Sequence, residues 1–167
     1  ENKGQVSDQN VRIRTDVLFS GTDGNLVFHL KSKGLSYQLG KVIQWRTEEN
    51  PLTKAKDKTP YAISIYRIDL EWLNCSTPLV KQGEEFPGYD NIYNEANPNG
   101  ITRVRSFKDV IFQNLYKGIN LHYYSKDNHL KYDYLVSANA DYKNIQLKIS
   151  GAEKIYVNRN GALIIIT

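Results

Sequence analysis

The sequence predicts an all-β fold, mainly an antiparallel two-sheet β-sandwich with long hairpins and little or no helix. Apolar and polar residues alternate along residues 115–124 and again along 130–136, with the polar run 125–129 between them, which is the pattern of a hairpin. The aromatic residues are mostly tyrosine, 12 Tyr against 5 Phe and 2 Trp, and tyrosine suits half-buried sheet faces. We found no segment with convincing helical periodicity.

The first half of the chain contains further alternating segments. Residues 11–19 predict a first strand, and residues 20–24 predict the turn that follows it. Residues 26–30 and 35–39 predict the two arms of a hairpin. Residues 47–60 are rich in charged residues, Thr and Pro, and therefore predict a mobile surface loop.

The middle and the end of the chain complete the predicted fold. Residues 66–72 predict a long strand, with a bulge or a second buried face near Ile65. Residues 81–100 contain three turn dipeptides and predict a crossover of linked turns. Its expected anchors are Phe86, Tyr89, Ile92 and Tyr93. Residues 145–149 predict a strand, and residues 155–166 a final hairpin.

Length and composition predict one domain spanning residues 1–167. A chain of 167 residues with 40% hydrophobic residues can bury a core without disulfides. We expect an excised or processed chain, because it starts at Glu1 and contains no Met. The last predicted strand reaches Thr167, which leaves room for the domain to extend beyond that residue.

Charge and cysteine content argue against several classes of function. The surplus of +4 is spread along the chain, and the one basic run, Lys54, Lys56 and Lys58, is interrupted by Asp57, so we predict no nucleic-acid binding. No apolar run approaches the length of a membrane span. Cys75 is the single cysteine, so neither an intramolecular disulfide nor a cysteine-based zinc site is expected.

Candidate catalytic and metal-binding residues are few. Two of the carboxylates Glu84, Glu85, Asp90 and Glu95 could flank a glycosidic bond, but charged loop residues are usually only solvated, so we predict no catalytic residue and no enzyme activity. The three histidines, His29, His122 and His129, lack metal spacing, and neither Asp23-Gly24 nor Asp127-Asn128 continues as a calcium loop. We therefore predict no metal and no cofactor.

Tyrosine enrichment gives the one candidate ligand site. Tyr89 and Tyr93 lie with Asp90 and Asn91 in the crossover, and flat rings beside short polar groups can stack on sugar rings and bond their hydroxyls. The alternative is that these rings plug the end of the sandwich. Tyrosines of the central hairpin are interpreted as structural cross-strand pairs; these are Tyr123, Tyr124, Tyr132 and Tyr134.

Five blocks of sequence together resemble a known family. They are Glu1-Asn2-Lys3-Gly4-Gln5, Phe86-Pro87-Gly88-Tyr89, residues 115–121 with Tyr123-Tyr124, residues 130–134, and Gly151-Ala152 followed by residues 160–163. Their order and spacing resemble the uncharacterised N-terminal β domain of large secreted proteins, mainly of Bacteroidetes. Those proteins carry bacterial β-propeller (SBBP) repeats, PKD-like modules or a gliding-motility-type C-terminal sorting domain. The chain departs from the family pattern at Val6, at residues 100–104 and at residues 138–141.

The resemblance implies export by the type IX secretion route and a location on the cell surface or outside the cell, after removal of a signal peptide. It implies no catalytic residue. From it we expect a non-catalytic structural or adhesive module at the N-terminus of a longer protein. Its partners would be downstream modules of its own polypeptide, type IX components or other cell-surface proteins. The alternative is a carbohydrate-binding module that binds a glycan through the exposed tyrosines of residues 86–95.

Overall fold

The protein is described by a computed structural model over residues 1–49, 52–94, 97–127 and 129–167. Its fold is all-β, with 64% of the described residues in strands or isolated bridges. The strands are β1 (Val17–Asp23), β2 (Leu26–Lys31), β3 (Gly34–Glu49), β4 (Lys56–Trp72), β5 (Leu79–Gln82), β6 (Asp90–Asn94), β7 (Asn97–Val104), β8 (Asp109–Tyr116), β9 (Ile119–Lys126), β10 (His129–Val136), β11 (Leu147–Ser150), β12 (Lys154–Val157) and β13 (Leu163–Ile166). A single turn of 3₁₀ helix spans Tyr142–Asn144.

Two antiparallel sheets form the body of the domain. The first has the order β1-β2-β3-β4-β11, and the second has the order β10-β9-β8-β5. The remaining strands form two separate two-stranded hairpins, β6-β7 and β12-β13. This arrangement confirms the predicted all-β, mainly antiparallel two-sheet fold.

The core lies between the two larger sheets. Strand β10 crosses the first sheet from β1, where His129 contacts Asp23 at 2.7 Å, to β4, where the Trp72 indole N–H donates to the Tyr134 hydroxyl at 2.5 Å. Apolar side chains from both sheets fill the space between them, because alternate residues of each strand point to the same face. The fully buried large side chains are Leu35, Phe112, Leu115, Ile119, Leu121 and Tyr123.

The predicted first strand is wrong over residues 11–16. Those residues form a loop with one isolated bridge, between Ser7 and Ile13, and β1 instead runs through residues 20–23, which were predicted as a turn. The error arose at Gly21, which was read as a turn residue. Position 21 lies within the strand and is glycine because the Phe28 ring occupies the space that a Cβ would need. The turn comes at Gly24, where φ is +60°.

The first arm of the central hairpin, predicted as one strand over residues 115–124, is two strands. A two-residue turn at Lys117 and Gly118 joins β8 to β9, and Tyr116 pairs directly with Ile119. Gly118 has φ of +73°, as such a tight hairpin requires. The apolar alternation continues across the turn, so the pattern alone does not reveal it. The second arm and the β9-β10 pairing agree with the prediction, although Asn128 lies outside the described residues.

The predicted loop at residues 47–60 is mostly strand. β3 continues to Glu49 and β4 begins at Lys56, and cross-strand pairing brings Glu49 opposite Lys56 and Thr47 opposite Lys58. Polar composition resembled a loop, whereas these pairs stabilise a solvent-exposed hairpin. Asn50 and Pro51, which belong to the predicted loop, lie outside the described residues.

Two further predictions need correction. The irregularity in the β3-β4 ladder lies at residues 42–45 opposite residues 60–63, and Ile65 is exposed, so no second buried face forms there. Residues 97–100 belong to strand β7, where we predicted turns, because β6 and β7 pair as a short, irregular hairpin. The final hairpin, β12-β13, was predicted correctly.

Candidate functional site

Tyr89 and Tyr93, the two rings of the predicted ligand site, are exposed to solvent. Tyr89 directly precedes β6 and Tyr93 lies within it, and their exposed fractions are 53% and 66%. Phe86 is exposed as well. The Tyr89 and Tyr93 rings therefore do not plug the end of the sandwich, and β6-β7 forms a sheet separate from the two core sheets.

The Tyr89 ring makes a cation–π contact with Arg105. The Arg105 guanidinium lies over its ring, 5.7 Å from the centroid, and donates to the Gly88 carbonyl at 3.1 Å. Glu85 forms an ion pair with the same guanidinium at 3.4 Å. Arg105 thus fixes the edge of the crossover while leaving one side of the Tyr89 ring available.

The other predicted ligand residues have partners inside the β6-β7 hairpin. The Asn91 side-chain oxygen accepts from the backbone N–H of Arg103 at 3.0 Å, and Asp90 pairs with Val104 across the two strands. The Tyr93 ring lies against Gly100, whose lack of a Cβ makes room for it. Among the ring contacts of the described residues, none joins Tyr89 to Tyr93. The structure therefore brings the four residues together at the start of one hairpin, with the Tyr89 and Tyr93 rings not in contact.

Two of the four carboxylates considered for catalysis, Glu84 and Glu85, form ion pairs. Glu84 binds Lys108 at 2.6 Å, and Glu85 binds Arg105. An isolated bridge between Glu85 and Phe107 places these pairs along a short ladder. Both contacts have a structural role, because they join residues 84–86 to residues 105–108. Glu95 lies outside the described residues.

A cleft of about 400 Å³, which was not predicted from the sequence, opens between the edges of the two core sheets. Apolar rings form much of its wall, and polar groups contributed by Ser106, Lys108 and His129 lie around it. The apolar wall includes Phe19, Phe28, Phe86, Phe107 and Tyr123. These residues come from five separate parts of the chain, so no local pattern could reveal the cleft.

Two residues that line this cleft, His129 and Leu130, are bound by Asp23. Its carboxylate contacts the His129 ring at 2.7 Å and accepts from the Leu130 backbone N–H at 3.0 Å. The hydrogen bond from His129 is the main cause that lowers the pKa of Asp23, and the bond from Leu130 adds to it. Asp23 thereby ties β1 to the start of β10.

The remaining histidines and the cysteine have separate environments. His29 is buried, its Nδ1 lies 2.9 Å from the Ser20 hydroxyl, and burial lowers its pKa. His122 lies 2.9 Å from Asp109 on the second sheet. Burial raises the pKa of the Cys75 thiol, which donates to the Trp72 carbonyl. Within the described ranges no three His, Cys, Asp or Glu side chains gather as metal ligands would.

The most exposed apolar surface lies on the far halves of β3 and β4, which we call the arm: residues 40–49 of β3 and residues 56–66 of β4. The pairing of β2 with β3 does not extend beyond Leu39, which lies opposite Leu26, the first residue of β2. β11 pairs only with residues 69–72 of β4. In the described part of the chain, no further named strand pairs with the outer edge of either half. Large apolar side chains are exposed on both faces of the arm; they are Ile43, Trp45, Tyr61, Ile63 and Ile65.

Among the described residues, no helix is long and apolar enough to cross a membrane.

Fold and surface together define an all-β two-sheet domain with a projecting hairpin arm. The chain belongs to the family described as Domain of unknown function (DUF7948), whose family model matches residues 1–167. Comparison with curated proteins gave no match, and comparison with solved structures gave none either.

Proposed function

We propose that this domain is a non-catalytic structural or adhesive module at the N-terminus of a secreted cell-surface protein exported by the type IX route. The sequence resemblance supports the export and the modular setting. The observation that supports an interaction role is the arm. Downstream modules of the same polypeptide and other surface proteins are the proposed partners.

The arm supports this proposal because it exposes what folded domains normally bury. Trp45 is 59% exposed, and on the same face of the arm Ile43 and Pro60 lie beside it, while Tyr61, Ile63 and Ile65 share the opposite face. Contiguous exposed apolar surface of this kind is typical of interaction sites. Unpaired strand edges add a row of backbone donors and acceptors that a partner can use.

Gene context and cell location test this proposal together. We expect the open reading frame to encode a signal peptide before Glu1 and further modules with a sorting domain after Thr167. Protease treatment of intact cells should then remove the domain from the surface. A start codon just upstream and a stop codon just after Thr167, with the protein protected inside the cell, would contradict it.

Carbohydrate binding is the second candidate, and it is favoured by the exposure of Tyr89 and Tyr93. Each ring has a side open to solvent, and Asp90 lies between them in sequence. Affinity electrophoresis in gels containing soluble polysaccharides tests this function. Retardation that Y89A or Y93A removes, and that Y142A at another exposed tyrosine preserves, would support it. Equal mobility of all four proteins in every gel would rule out binding to the polysaccharides used.

A further inference from the structure

The outer edge of β3 is long enough to accept another strand. Beyond Leu39, residues 40–49 extend past the end of β2 while remaining paired with β4 on their other side. Ten residues of strand span about 33 Å. Natural proteins usually shorten, cover or interrupt such an edge, because its free N–H and C=O groups pair with other strands.

Hydrogen-bond alternation shows which groups this edge presents. The Trp72 N–H donates to the Lys33 carbonyl at 3.0 Å at the base of the β3-β4 ladder. The register is the same on both sides of the irregularity, with Val42 opposite Ile63 before it and Trp45 opposite Pro60 after it. Alternation from Lys33 therefore directs the backbone groups of every second residue away from β4. In the arm these residues are Val42, Gln44, Arg46 and Glu48.

The charges on this edge are self-complementary. Its first part carries Lys41, and its end carries Glu48 and Glu49. Antiparallel pairing of the edge with itself places the basic part against the acidic end. With the twofold axis at Trp45, outward-pointing Val42 faces outward-pointing Glu48 of the second copy, so the backbone hydrogen bonds can form. The same register sets Lys41 opposite Glu49 of the second copy, twice by symmetry.

The outer edge of β4 is less suited to self-pairing. Its charges, Lys56, Asp57 and Lys58, lie together at one end, so antiparallel self-pairing sets them against the uncharged stretch from Tyr61 to Tyr66. The two edges of one arm therefore differ, and the difference favours β3.

We propose that the β3 edge of the arm binds the β3 edge of a second copy of this chain, forming a twofold dimer with a continuous antiparallel sheet. The proposal rests on the interaction role of the arm and names its partner. Glu49 contacts Lys54 at 3.4 Å in the single chain, and both side chains are largely exposed, so exchanging that pair for Lys41 of the second copy costs little.

Sedimentation equilibrium between 1 and 300 µM tests the dimer through charge reversal. The wild-type chain should approach twice its 19.2 kDa as concentration rises. K41E and E49K should each weaken dimerisation about tenfold or more, because each places like charges opposite one another at two symmetric positions. The double variant K41E/E49K should restore the wild-type affinity. K58E, on the β4 side of the arm, is the matched control and should leave it unchanged.

Each other outcome overturns the proposal. A monomer at every concentration excludes self-pairing while leaving the arm open to a different partner, and so separates this inference from the proposed function. A dimer that ignores K41E and E49K, or that the double variant does not restore, uses another surface. Amide hydrogen exchange gives a second readout: protection of Val42, Gln44, Arg46 and Glu48 should rise with concentration, and protection along the outer edge of β4 should not.

Discussion

Replacing a tyrosine with phenylalanine should have opposite effects at buried Tyr123 and at half-buried Tyr134. Tyr123 is 1% exposed, and its hydroxyl has no hydrogen-bond partner among the described residues. The Tyr134 hydroxyl accepts from the Trp72 indole N–H, and Trp72 is buried. Burial raises the pKa of Tyr123 well above its usual value and that of Tyr134 to about 12, so both hydroxyls are protonated at neutral pH.

Replacing each residue with phenylalanine separates the two cases. An unpartnered buried hydroxyl costs about 1–3 kcal/mol, and Phe keeps the ring, so Y123F should raise the free energy of unfolding by about 0.5–2 kcal/mol. Y134F removes the acceptor and leaves a buried indole N–H without a partner, so it should lower that free energy by about 1–3 kcal/mol. For a domain of this size each kcal/mol shifts the melting temperature by about 2–4 °C.

Urea unfolding of the three proteins at pH 7.5 is the assay, with the slope of free energy against urea as a check that the unfolded states match. The expected order of stability is Y123F above wild type above Y134F. A Y123F variant less stable than wild type by more than about 1 kcal/mol would show that the Tyr123 hydroxyl has a favourable contact, and would contradict its description as unpartnered. A neutral Y134F would refute the role of the Trp72 hydrogen bond.

Three further predictions follow from local geometry. Burial lowers the folded-state pKa of His29 below its ordinary value. The stability that neutral His29 contributes is therefore fully present above about pH 6.5 and is lost as pH falls through the folded-state pKa. Urea midpoints at pH 7.5 and 5.0 should show this loss of stability, and H29Q should make the loss smaller. Both G151A and G161A place a side chain at positive φ. Only at Gly151 would the new Cβ collide with a backbone carbonyl, that of Arg67. Thermal melting should therefore show that G151A lowers the free energy of unfolding more than G161A does, by at least about 1 kcal/mol. W45S should change the free energy of unfolding by less than about 0.5 kcal/mol, since Trp45 is exposed and outside the core, and a larger loss in urea unfolding would show that the arm is packed against the body of the domain.

The sequence predicted those parts of the fold where alternation and turn residues agree. The β2-β3, β9-β10 and β12-β13 hairpins combine period-two patterns with polar or glycine turns, so their strands were located correctly. Gly21 and Gly118 show the limit of this reasoning. Glycine marks either a turn or a close approach of another side chain, and only the position of the Phe28 ring shows that Gly21 is the second case.

The arm was missed because its composition resembles that of a loop. Residues 47–60 are polar, and their strand structure comes from backbone pairing across the hairpin, such as Glu49 opposite Lys56, which composition does not reveal. The candidate ligand residues were predicted in a crossover of turns, whereas the structure places them at a hairpin, and their partners could not be predicted from the sequence. Those features depend on Arg103, Arg105 and Gly100, which approach them only in the folded chain.

Hydrogen exchange along the arm, compared between the 167-residue chain at low concentration and the longer polypeptide proposed above, is the decisive test of the arm as an interaction surface. Amides of residues 40–49 should exchange much more slowly in the longer polypeptide, because a partner covers the edge of β3, while the core amides of β8 and β9 should exchange equally in both. Equal exchange of the arm in the two proteins would contradict its role as an interaction surface.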